Sequence, residues 1–219
     1  MNEESLPRNY FVEMDVRDEE AYQLASEWFN KVVFTRKLVL TGEPEWGILR
    51  EELKELREKY GEVALLIVTK KPSLIMEVKR RNLKAILYVQ GGDMRVNRAA
   101  IESGVDALIS PWFGRKDSGF DHTLAGMASR RNVAIGFSLS PLLKASPYER
   151  TLTLRFMMKV WELTKKYRVP RFITSSAESR WEVRSPGDLM SLGTNIGMEV
   201  PEARASLNFY PRRILSRLK

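Results

Sequence analysis

Apolar residues follow two alternating patterns along the chain, one of short continuous runs and one of helical spacing. Runs that are short, apolar and often β-branched predict strands that are buried on both faces. Such runs occur at Phe11 to Val16, Val32 to Leu40, Val63 to Val68, Ala85 to Val89, Ala107 to Ile109, Val133 to Phe137, and Phe172 with Ile173. Between them, residues such as Leu49, Leu53 and Leu56 recur at spacings of three or four, which places them on one side of a helix. The pattern therefore predicts strands and helices in alternation.

Five of these runs follow a helical segment through similar short junctions. Gly61, Asn82, Gly104 and Asn132 stand at four junctions, and Val169-Pro170 stands at the fifth. Glycine or asparagine just past a helix adopts the left-handed conformation that ends it. Repeated junctions of this kind predict a parallel α/β sheet, which either stays open or closes into a barrel. No glycine-rich dinucleotide fingerprint follows the first strand, which removes one reason to expect the open form.

The length of the chain suits one well-buried domain. βα barrels often use about 219 residues as a single unit. After Asp188 the apolar pattern loosens into short helical pieces. We therefore expect one βα-barrel domain over residues 1–219, in which residues 189–219 form helices that pack on the barrel.

The composition limits which partners and which kinds of site the chain can have. Lys and Arg total 36 against 28 acidic residues, and the resulting net charge of +8 favours an anionic partner, although a soluble domain can be basic without one. The absence of cysteine excludes disulfides and thiolate metal sites. No segment approaches the roughly 20 apolar residues that span a bilayer, and the N-terminus lacks the apolar stretch of a signal peptide. We therefore expect a cytoplasmic protein with no membrane partner.

Polar residues just past the apolar runs are the natural place to look for function, since parallel barrels carry it at the carboxyl ends of their strands. Hydroxyl and basic residues stand there, without a histidine pair or a Gly-x-Ser-x-Gly nucleophile motif. We expect no catalytic residue and no metal ligand in this chain. A Mg²⁺ site that uses oxygens of Asp15, Asp93 or Asp121 is the less favoured alternative. Asp121 is expected to cap a helix, with a structural role for His122 favoured over acid–base chemistry.

Basic and aromatic residues near the strand ends are the candidate binding groups. The expected phosphate contacts are Lys70, Arg95, Arg115, Lys116, Arg180 and Arg184, to which Ser175 and Ser176 add hydroxyl and backbone donors. Trp112, Phe113 and Trp181 flank basic residues and can either stack on unpaired bases or anchor a protein partner. The competing interpretations are a solvated basic surface and an ordinary serine-rich turn.

Three stretches of less common sequence carry a resemblance to a known family. They are Phe120-Asp121-His122, Val133 to Leu139, and Phe172 to Leu189, in which Ser175-Ser176-Ala177 and Arg184-Ser185-Pro186-Gly187-Asp188-Leu189 are the most specific parts. The chain resembles the archaeal ribonuclease P protein component 3 family, which is homologous to a TIM-barrel-like subunit of eukaryotic ribonuclease P and MRP. The resemblance implies an α/β fold, namely a distorted TIM-like βα barrel with about seven parallel strands, related to the metal-dependent phosphoesterase (PHP) barrels.

The first strand differs from that of the phosphoesterase barrels. Their strand carries an Asp-x-His-x-His motif, whereas the corresponding residues here read Glu13-Met14-Asp15-Val16-Arg17. Asp15 and Arg17 thus replace the two histidines, and His122 is the one histidine of the sequence. A metal centre with several imidazole ligands cannot be built from this chain.

The resemblance also implies a function. It indicates a protein subunit of ribonuclease P, the endoribonuclease that removes the 5′ leader from precursor tRNA, in which the catalytic RNA and its Mg²⁺ carry the chemistry. The isolated chain is then expected to be non-catalytic and to bind no cofactor itself. Expected partners are ribonuclease P RNA, precursor tRNA, protein component 2 in an assembly such as a heterotetramer, and other ribonuclease P proteins. The alternatives are a free-standing metal-dependent phosphoesterase barrel and a barrel that binds only proteins.

Overall fold

Parallel strands form the centre of the fold. The computed structural model describes residues 9–218, with side chains through residue 217. Within this range the strands are β1 (Val12–Val16), β2 (Lys31–Leu40), β3 (Val63–Thr69), β4 (Ile86–Gln90), β5 (Ala107–Ile109), β6 (Ala134–Ser138) and β7 (Arg171–Thr174). Each strand pairs in parallel with its neighbour in sequence, so the sheet order is β1 to β7. The seven predicted runs are confirmed, and their bounds differ by at most one residue at each end.

Helices connect the strands and continue past the last one. In the described residues they are α1 (Glu19–Trp28), α2 (Trp46–Tyr60), α3 (Ser73–Arg80), α4 (Met94–Glu102), α5 (His122–Arg131), α6 (Ser140–Lys144), α7 (Pro147–Lys166), α8 (Pro186–Asn195), α9 (Val200–Ala205) and α10 (Phe209–Leu215). A single 3₁₀ turn, Arg180–Glu182, lies between β7 and α8. The predicted C-terminal helical pieces correspond to α8, α9 and α10, while residues 1–8 and 219 of the expected domain lie outside the described residues. None of the helices in residues 9–218 has both the length and the apolar character needed to cross a bilayer.

The junctions from helix to strand adopt the predicted backbone conformation. Gly61, Asn82, Gly104 and Asn132 have φ values of 79°, 45°, 64° and 55°. At the fifth junction Arg168 takes the left-handed conformation, with φ 55°. Pro170 cannot adopt the left-handed conformation because its ring fixes φ near −65°. At this junction the left-handed residue is therefore an arginine, in place of the glycine or asparagine of the other four.

The barrel closes where β1 approaches β7. Near the carboxyl ends of the two strands, the backbone N–H of Arg17 donates a hydrogen bond to the carbonyl of Ala177 at 2.8 Å, next to a parallel bridge between Val16 and Ala177. This contact joins the two ends of the sheet order. It turns the open series of strands into a nearly closed barrel.

A segment from the C-terminal part of the chain fills the other half of the same seam. The N–H of Val12 in β1 donates to the carbonyl of Leu207 at 2.8 Å, and the N–H of Ile173 in β7 donates to that of Ser206 at 3.2 Å. Edge strands otherwise present unpaired backbone groups. The Ser206-Leu207 segment therefore takes the place of an eighth strand at this end.

Apolar side chains fill both the interior of the barrel and the layer between strands and helices. The interior group contains Val12, Met14, Val33, Ala64, Leu66, Ile86, Tyr88, Ala107, Ile109, Ala134 and Phe172. Ile214 and Leu215 of α10 join it, at 1% and 7% exposure. Because α10 covers the amino ends of β1 and β7, these two side chains plug that end of the barrel, which we call the closed end.

An arginine holds the C-terminal helices to the closed end. Arg171 is the first residue of β7, and its guanidinium carbon lies 4.4 Å from the ring centre of Trp161 in α7 and 4.9 Å from that of Tyr210 in α10. A cation over an aromatic face is attracted to the ring electrons, more strongly when both groups are buried. The contact links β7, α7 and α10.

Candidate functional site

The carboxyl ends of the strands surround an open cavity of about 580 Å³, which we call the mouth. Arg17 after β1, Gln90 at the end of β4 and Ser138 at the end of β6 contribute to its lining. Phe113 and Phe156 form part of an apolar wall. The location agrees with the expectation that function in a parallel barrel lies at the carboxyl ends of its strands.

Three cationic side chains at the mouth converge on the carboxylate of Glu178. The Nη1 of Arg17 lies 3.1 Å and the Nζ of Lys37 lies 2.9 Å from Oε1, and the Nζ of Lys144 lies 2.9 Å from Oε2. Partial burial by itself raises the pKa of Glu178. Hydrogen bonds from Lys144 and Lys37 and the charges of Lys37 and Arg17 outweigh that effect and lower the pKa to about 2.

Two further carboxylates fix these cations. Asp15 is buried and accepts two hydrogen bonds from Arg17, at 3.0 Å from Nε and 2.6 Å from Nη2. Glu182 lies 2.9 Å from the Nζ of Lys144 and accepts a hydrogen bond from the backbone N–H of Glu178 at 3.0 Å. A bidentate arginine–carboxylate pair sets orientation as well as charge. The Arg17 guanidinium is therefore held in place independently of Glu178.

Glu13 places a carboxyl group inside the β1–β7 seam. It accepts hydrogen bonds from the hydroxyl of Thr174 and, at 3.1 Å, from the backbone N–H of Ser175. Burial raises the pKa of Glu13 to about 7, although these hydrogen bonds act in the opposite direction. The side chain thus replaces part of the backbone pairing that β1 and β7 lack.

Serine hydroxyls without a hydrogen-bond partner in the protein collect near the same end. Among the described residues, the Oγ atoms of Ser110, Ser175 and Ser176 are buried and unpaired in this way. Ser110 follows β5, and the other two follow β7. Ser176 lines the mouth cavity and has φ 50°. A buried hydroxyl without a partner costs about 1–3 kcal/mol, so the unpaired donors favour a polar ligand at this end.

The predicted phosphate contacts divide into two groups. Lys70, Arg95, Lys116 and Arg180 are exposed at or beyond strand carboxyl ends, and Arg95 has only a loose contact of 3.6 Å to Asp93. Their role in binding stays a prediction.

Arg115 and Arg184 are half-buried and engaged within the protein. Arg115 makes a bidentate pair with Asp117, at 2.7 Å and 2.8 Å, and lines the mouth. Arg184 donates to the carbonyls of Trp181 and Val183, both at 2.8 Å. Both arginines therefore support local backbone structure, whatever else they contact.

The predicted aromatic contacts differ in exposure. Trp112 is only 3% exposed, and its ring packs against Phe137 with 5.4 Å between ring centres. Phe113 is 48% exposed at the mouth, and Trp181 is 79% exposed, with the Arg180 guanidinium 5.3 Å from its ring centre. Phe113 and Trp181 offer ring surface to a partner, whereas the burial of Trp112 places it in the core.

The acidic residues considered as Mg²⁺ ligands have other partners in the fold. Asp93 accepts from the N–H of Arg95 at 2.8 Å and caps α4, and Asp121 accepts from that of Leu124 at 2.8 Å and caps α5. The capping role predicted for Asp121 is confirmed. Residues 9–218 contain no group of three or more His, Cys, Asp or Glu side chains placed to hold a metal ion.

Residues 63–219 match the sequence model of a protein family, RNase P subunit p30. The chain belongs to the RNase P subunit p30 family. This p30-family chain is 79% identical over 220 residues to ribonuclease P protein component 3 of Thermococcus kodakarensis, with full coverage of both chains. It is 77% identical to the component 3 protein of Thermococcus gammatolerans, over 96% of this chain and 99% of that one. The predicted family is confirmed, and with it the assignment as a protein subunit of ribonuclease P.

Solved structures support the same family and the barrel fold. The p30-family chain is 30% identical to a chain in the cryo-EM structure of archaeal ribonuclease P with mature tRNA, with a TM-score of 0.72 over 94% of this chain and 89% of that one. A prolidase and A. niger ochratoxinase, both 9% identical, give TM-scores of 0.64 and 0.63 and cover 94% of this chain and 74% and 61% of theirs. At that identity the likeness is one of fold alone. The TIM-like barrel of seven strands is confirmed, while its relation to the phosphoesterase barrels stays a prediction.

Most of the charged cluster at the mouth of this p30-family chain is not predictable from its sequence. Lys37 lies within β2, Lys144 ends α6, and Glu178 and Glu182 follow β7. The one available signal was in β1, where Glu13 and Asp15 interrupt an otherwise apolar run. Two acids inside a predicted buried strand need partners, which predicts cations nearby but not which ones.

Proposed function

We propose that this chain binds and stabilises the catalytic RNA of ribonuclease P during removal of the 5′ leader from precursor tRNA, and that it performs no chemistry itself. The observation that carries the proposal is the state of the carboxylates at the mouth. Asp15, Glu178 and Glu182 are engaged by cations, while Asp93 and Asp121 cap helices. A general base or metal ligand needs a carboxylate with free lone pairs directed at the substrate, and these acids are committed elsewhere.

Exposed cations at or beyond the carboxyl ends of the strands support the binding role. Lys70, Arg95, Lys116 and Arg180 are exposed in segments that follow the strands, in a chain whose net charge is +8. Contacts of this kind neutralise backbone phosphates and set the position of an RNA without reading its sequence. Phe113 and Trp181 add exposed rings on which unpaired bases can stack. In this proposal Ser175, Ser176, Arg115 and Arg184 contribute donors around the same end.

The partners follow from the family. The similar chain in archaeal ribonuclease P with mature tRNA supports RNA and other ribonuclease P proteins as partners. We propose that protein component 2 is among them, including in a heterotetramer, and that the complex acts in the cytoplasm. The Mg²⁺ of the reaction is then held by the RNA and its phosphates, which are the usual oxygen partners of this ion.

Reconstituted cleavage of precursor tRNA tests the proposal. Cleavage by the cognate RNA and its other proteins is compared with and without this chain, alongside the chain alone in Mg²⁺. We expect the rate to rise when the chain is added and no cleavage by the chain alone. No effect in the complex, together with metal-dependent phosphoester hydrolysis by the purified chain, would instead support a free-standing phosphoesterase.

A further inference from the structure

The cluster around Glu178 differs from the other ion pairs of the protein. A surface carboxylate commonly meets one cation and gains little from it, as Glu19 does with Lys59. Glu178 meets Arg17, Lys37 and Lys144, which come from three separate parts of the chain. Such convergence brings three positive charges close together, and Glu178 is the carboxylate that contacts all three of them.

Two of the three cations have a second carboxylate partner and do not depend on Glu178 alone for their positions. Arg17 is 10% exposed at its side chain and is fixed by Asp15, and Lys144 is also paired with Glu182. Glu178 itself is 35% exposed at its side chain and lies in a loop after β7. Arg17 and Lys144 are therefore preorganised, whereas the carboxylate that joins them to Lys37 comes from a loop and is partly exposed.

The surroundings of the cluster favour a ligand. Ser176, whose buried hydroxyl has no partner in the protein, lines the cavity that Glu178, Arg17, Lys37 and Lys144 also line. The other acid in the lining, Glu149, is engaged by the N–H and hydroxyl of Ser146, at 3.0 Å and 2.7 Å. At about 580 Å³ the cavity has room for more than a carboxylate.

We propose that the carboxylate of Glu178 occupies a phosphate-binding site formed by Arg17, Lys37 and Lys144, and that a phosphate group displaces it. A phosphate offers more oxygens and more negative charge than a carboxylate, so it can accept from all three cations and from Ser176 together. The apolar wall with Leu152 and Phe156 accommodates a nucleoside attached to that phosphate. The source is either a free oxyanion or the backbone of an RNA, and the second source rests on the proposed function.

Replacing Glu178 opens the site without altering its cations. Glu178→Gln removes the internal competitor, and Glu102→Gln is the matched control, because Glu102 pairs with the single cation Arg98 on α4. Thermal unfolding is followed in inorganic phosphate and in chloride at equal ionic strength. We expect Glu178→Gln to bind inorganic phosphate about tenfold more tightly than the wild type, as one added charge-assisted hydrogen bond predicts. Its melting temperature rises with phosphate but not with chloride, while the control behaves as the wild type.

If Glu178→Gln does not fold in chloride, the experiment still tests the phosphate site. Inorganic phosphate supplies the anion that Glu178→Gln lacks, so refolding should succeed in phosphate alone. Failure in both salts, or equal responses to phosphate and chloride, would overturn the site. Adding Lys37→Gln to Glu178→Gln should remove the phosphate response, and a response that persists would place the oxyanion elsewhere.

Binding of a single-stranded RNA oligonucleotide separates the two sources. If an RNA phosphate is the ligand, Glu178→Gln binds the oligonucleotide about tenfold more tightly and with a steeper salt dependence, corresponding to one more phosphate contact. If Glu178→Gln binds inorganic phosphate but its affinity for RNA equals that of Glu102→Gln, the phosphate site is supported and its ligand is a free oxyanion. Neither result bears on the cleavage assay, so failure of this site and failure of the ribonuclease P function are distinguishable.

Discussion

At the closed end of the barrel, Ile214 and Leu215 pack among apolar interior side chains, and Arg171 lies between two aromatic rings. At the mouth, Glu178 is held by cations, and Ser176 is buried without a partner in the protein. Apolar burial stabilises a fold without needing a ligand, whereas a buried hydroxyl without a partner is costly until something binds it. The closed end thus supports stability and the mouth supports recognition.

Removing part of the apolar plug should produce the largest loss of stability. Ile214→Ala deletes buried methyl groups at the closed end and is expected to lower the free energy of unfolding by about 2–5 kcal/mol. Leu152→Ala, on the half-buried wall of the mouth, should cost roughly 1 kcal/mol because the site already borders open space. Guanidinium denaturation measures both. Equal losses would mean that the two ends do not differ in packing.

The buried carboxyl of Glu13 should make stability depend on pH. Its pKa is about 7 in the folded protein against 4.5 for an ordinary glutamate. Between these values the folded state keeps a proton that the unfolded state has lost, so stability falls as pH rises from about 4.5 to 7 and then levels off. Each pKa unit corresponds to about 1.4 kcal/mol, so the total fall is roughly 3 kcal/mol.

Glu13→Gln isolates this effect. The glutamine does not titrate, so the difference in unfolding free energy between wild type and variant should shift by roughly 2.5 kcal/mol in the variant's favour between pH 5 and pH 8, since part of the fall lies below pH 5. Denaturation at several pH values supplies the comparison. A difference that stays constant across this range would show that Glu13 is ionised throughout.

Charge reversal at each end compares their roles in RNA binding. Replacing Lys70, Arg95, Lys116 and Arg180 by Glu should weaken binding to ribonuclease P RNA by roughly 100-fold and flatten its salt dependence. The matched control replaces Lys79, Arg80, Arg130 and Arg131, which lie at or near the C-terminal ends of α3 and α5 toward the closed end. Filter binding at several salt concentrations, with circular dichroism to verify folding, measures the effect. A comparable loss in the control would show that RNA binding depends on net charge and not on the cations near the carboxyl ends of the strands.

The smallest expected effect is the salt dependence of the stability lost on removing one cation at each end of the barrel. Arg171→Met removes a buried cation from between Trp161 and Tyr210 and should cost about 1–2 kcal/mol, with little change in salt. Lys144→Met removes a half-exposed partner of Glu178 and should cost less than about 1 kcal/mol, and less still at high salt. Unfolding in low and high salt compares them. If the stability loss of Arg171→Met decreased with salt concentration as that of Lys144→Met does, the contacts with the two rings would not be the main source of the stability that Arg171 contributes.

Most of the barrel could be predicted from the sequence because the signals for its strands and helices are local. Apolar runs and helical spacing depend on neighbouring residues, and left-handed glycine or asparagine marks where a helix ends. The junction before β7 departs from this rule, because Arg168 takes the left-handed conformation there although it is neither glycine nor asparagine. Local signals therefore fixed the strands but not every junction.

The mouth could be predicted only in part, because its contacts join distant residues. Lys37 and Glu178 meet only after the whole barrel has formed, and nothing in either neighbourhood indicates the other. Trp112 stood in a loop-like segment beside basic residues, yet the turn after β5 directs it into the core against Phe137. Asp121 was predictable because a cap acts within one helical turn.

The Ser206-Leu207 segment, which pairs with both β1 and β7, has a consequence for how the protein is made. A ribosome produces β1 well before this segment, so β1 keeps an unpaired edge while the strands and helices between them are made. Contacts between residues so far apart in sequence form slowly, and exposed edges invite pairing with other chains. A chain truncated before Ser206 would therefore leave part of the β1–β7 seam unpaired and prone to aggregation, and the native fold is completed only once this segment has been made.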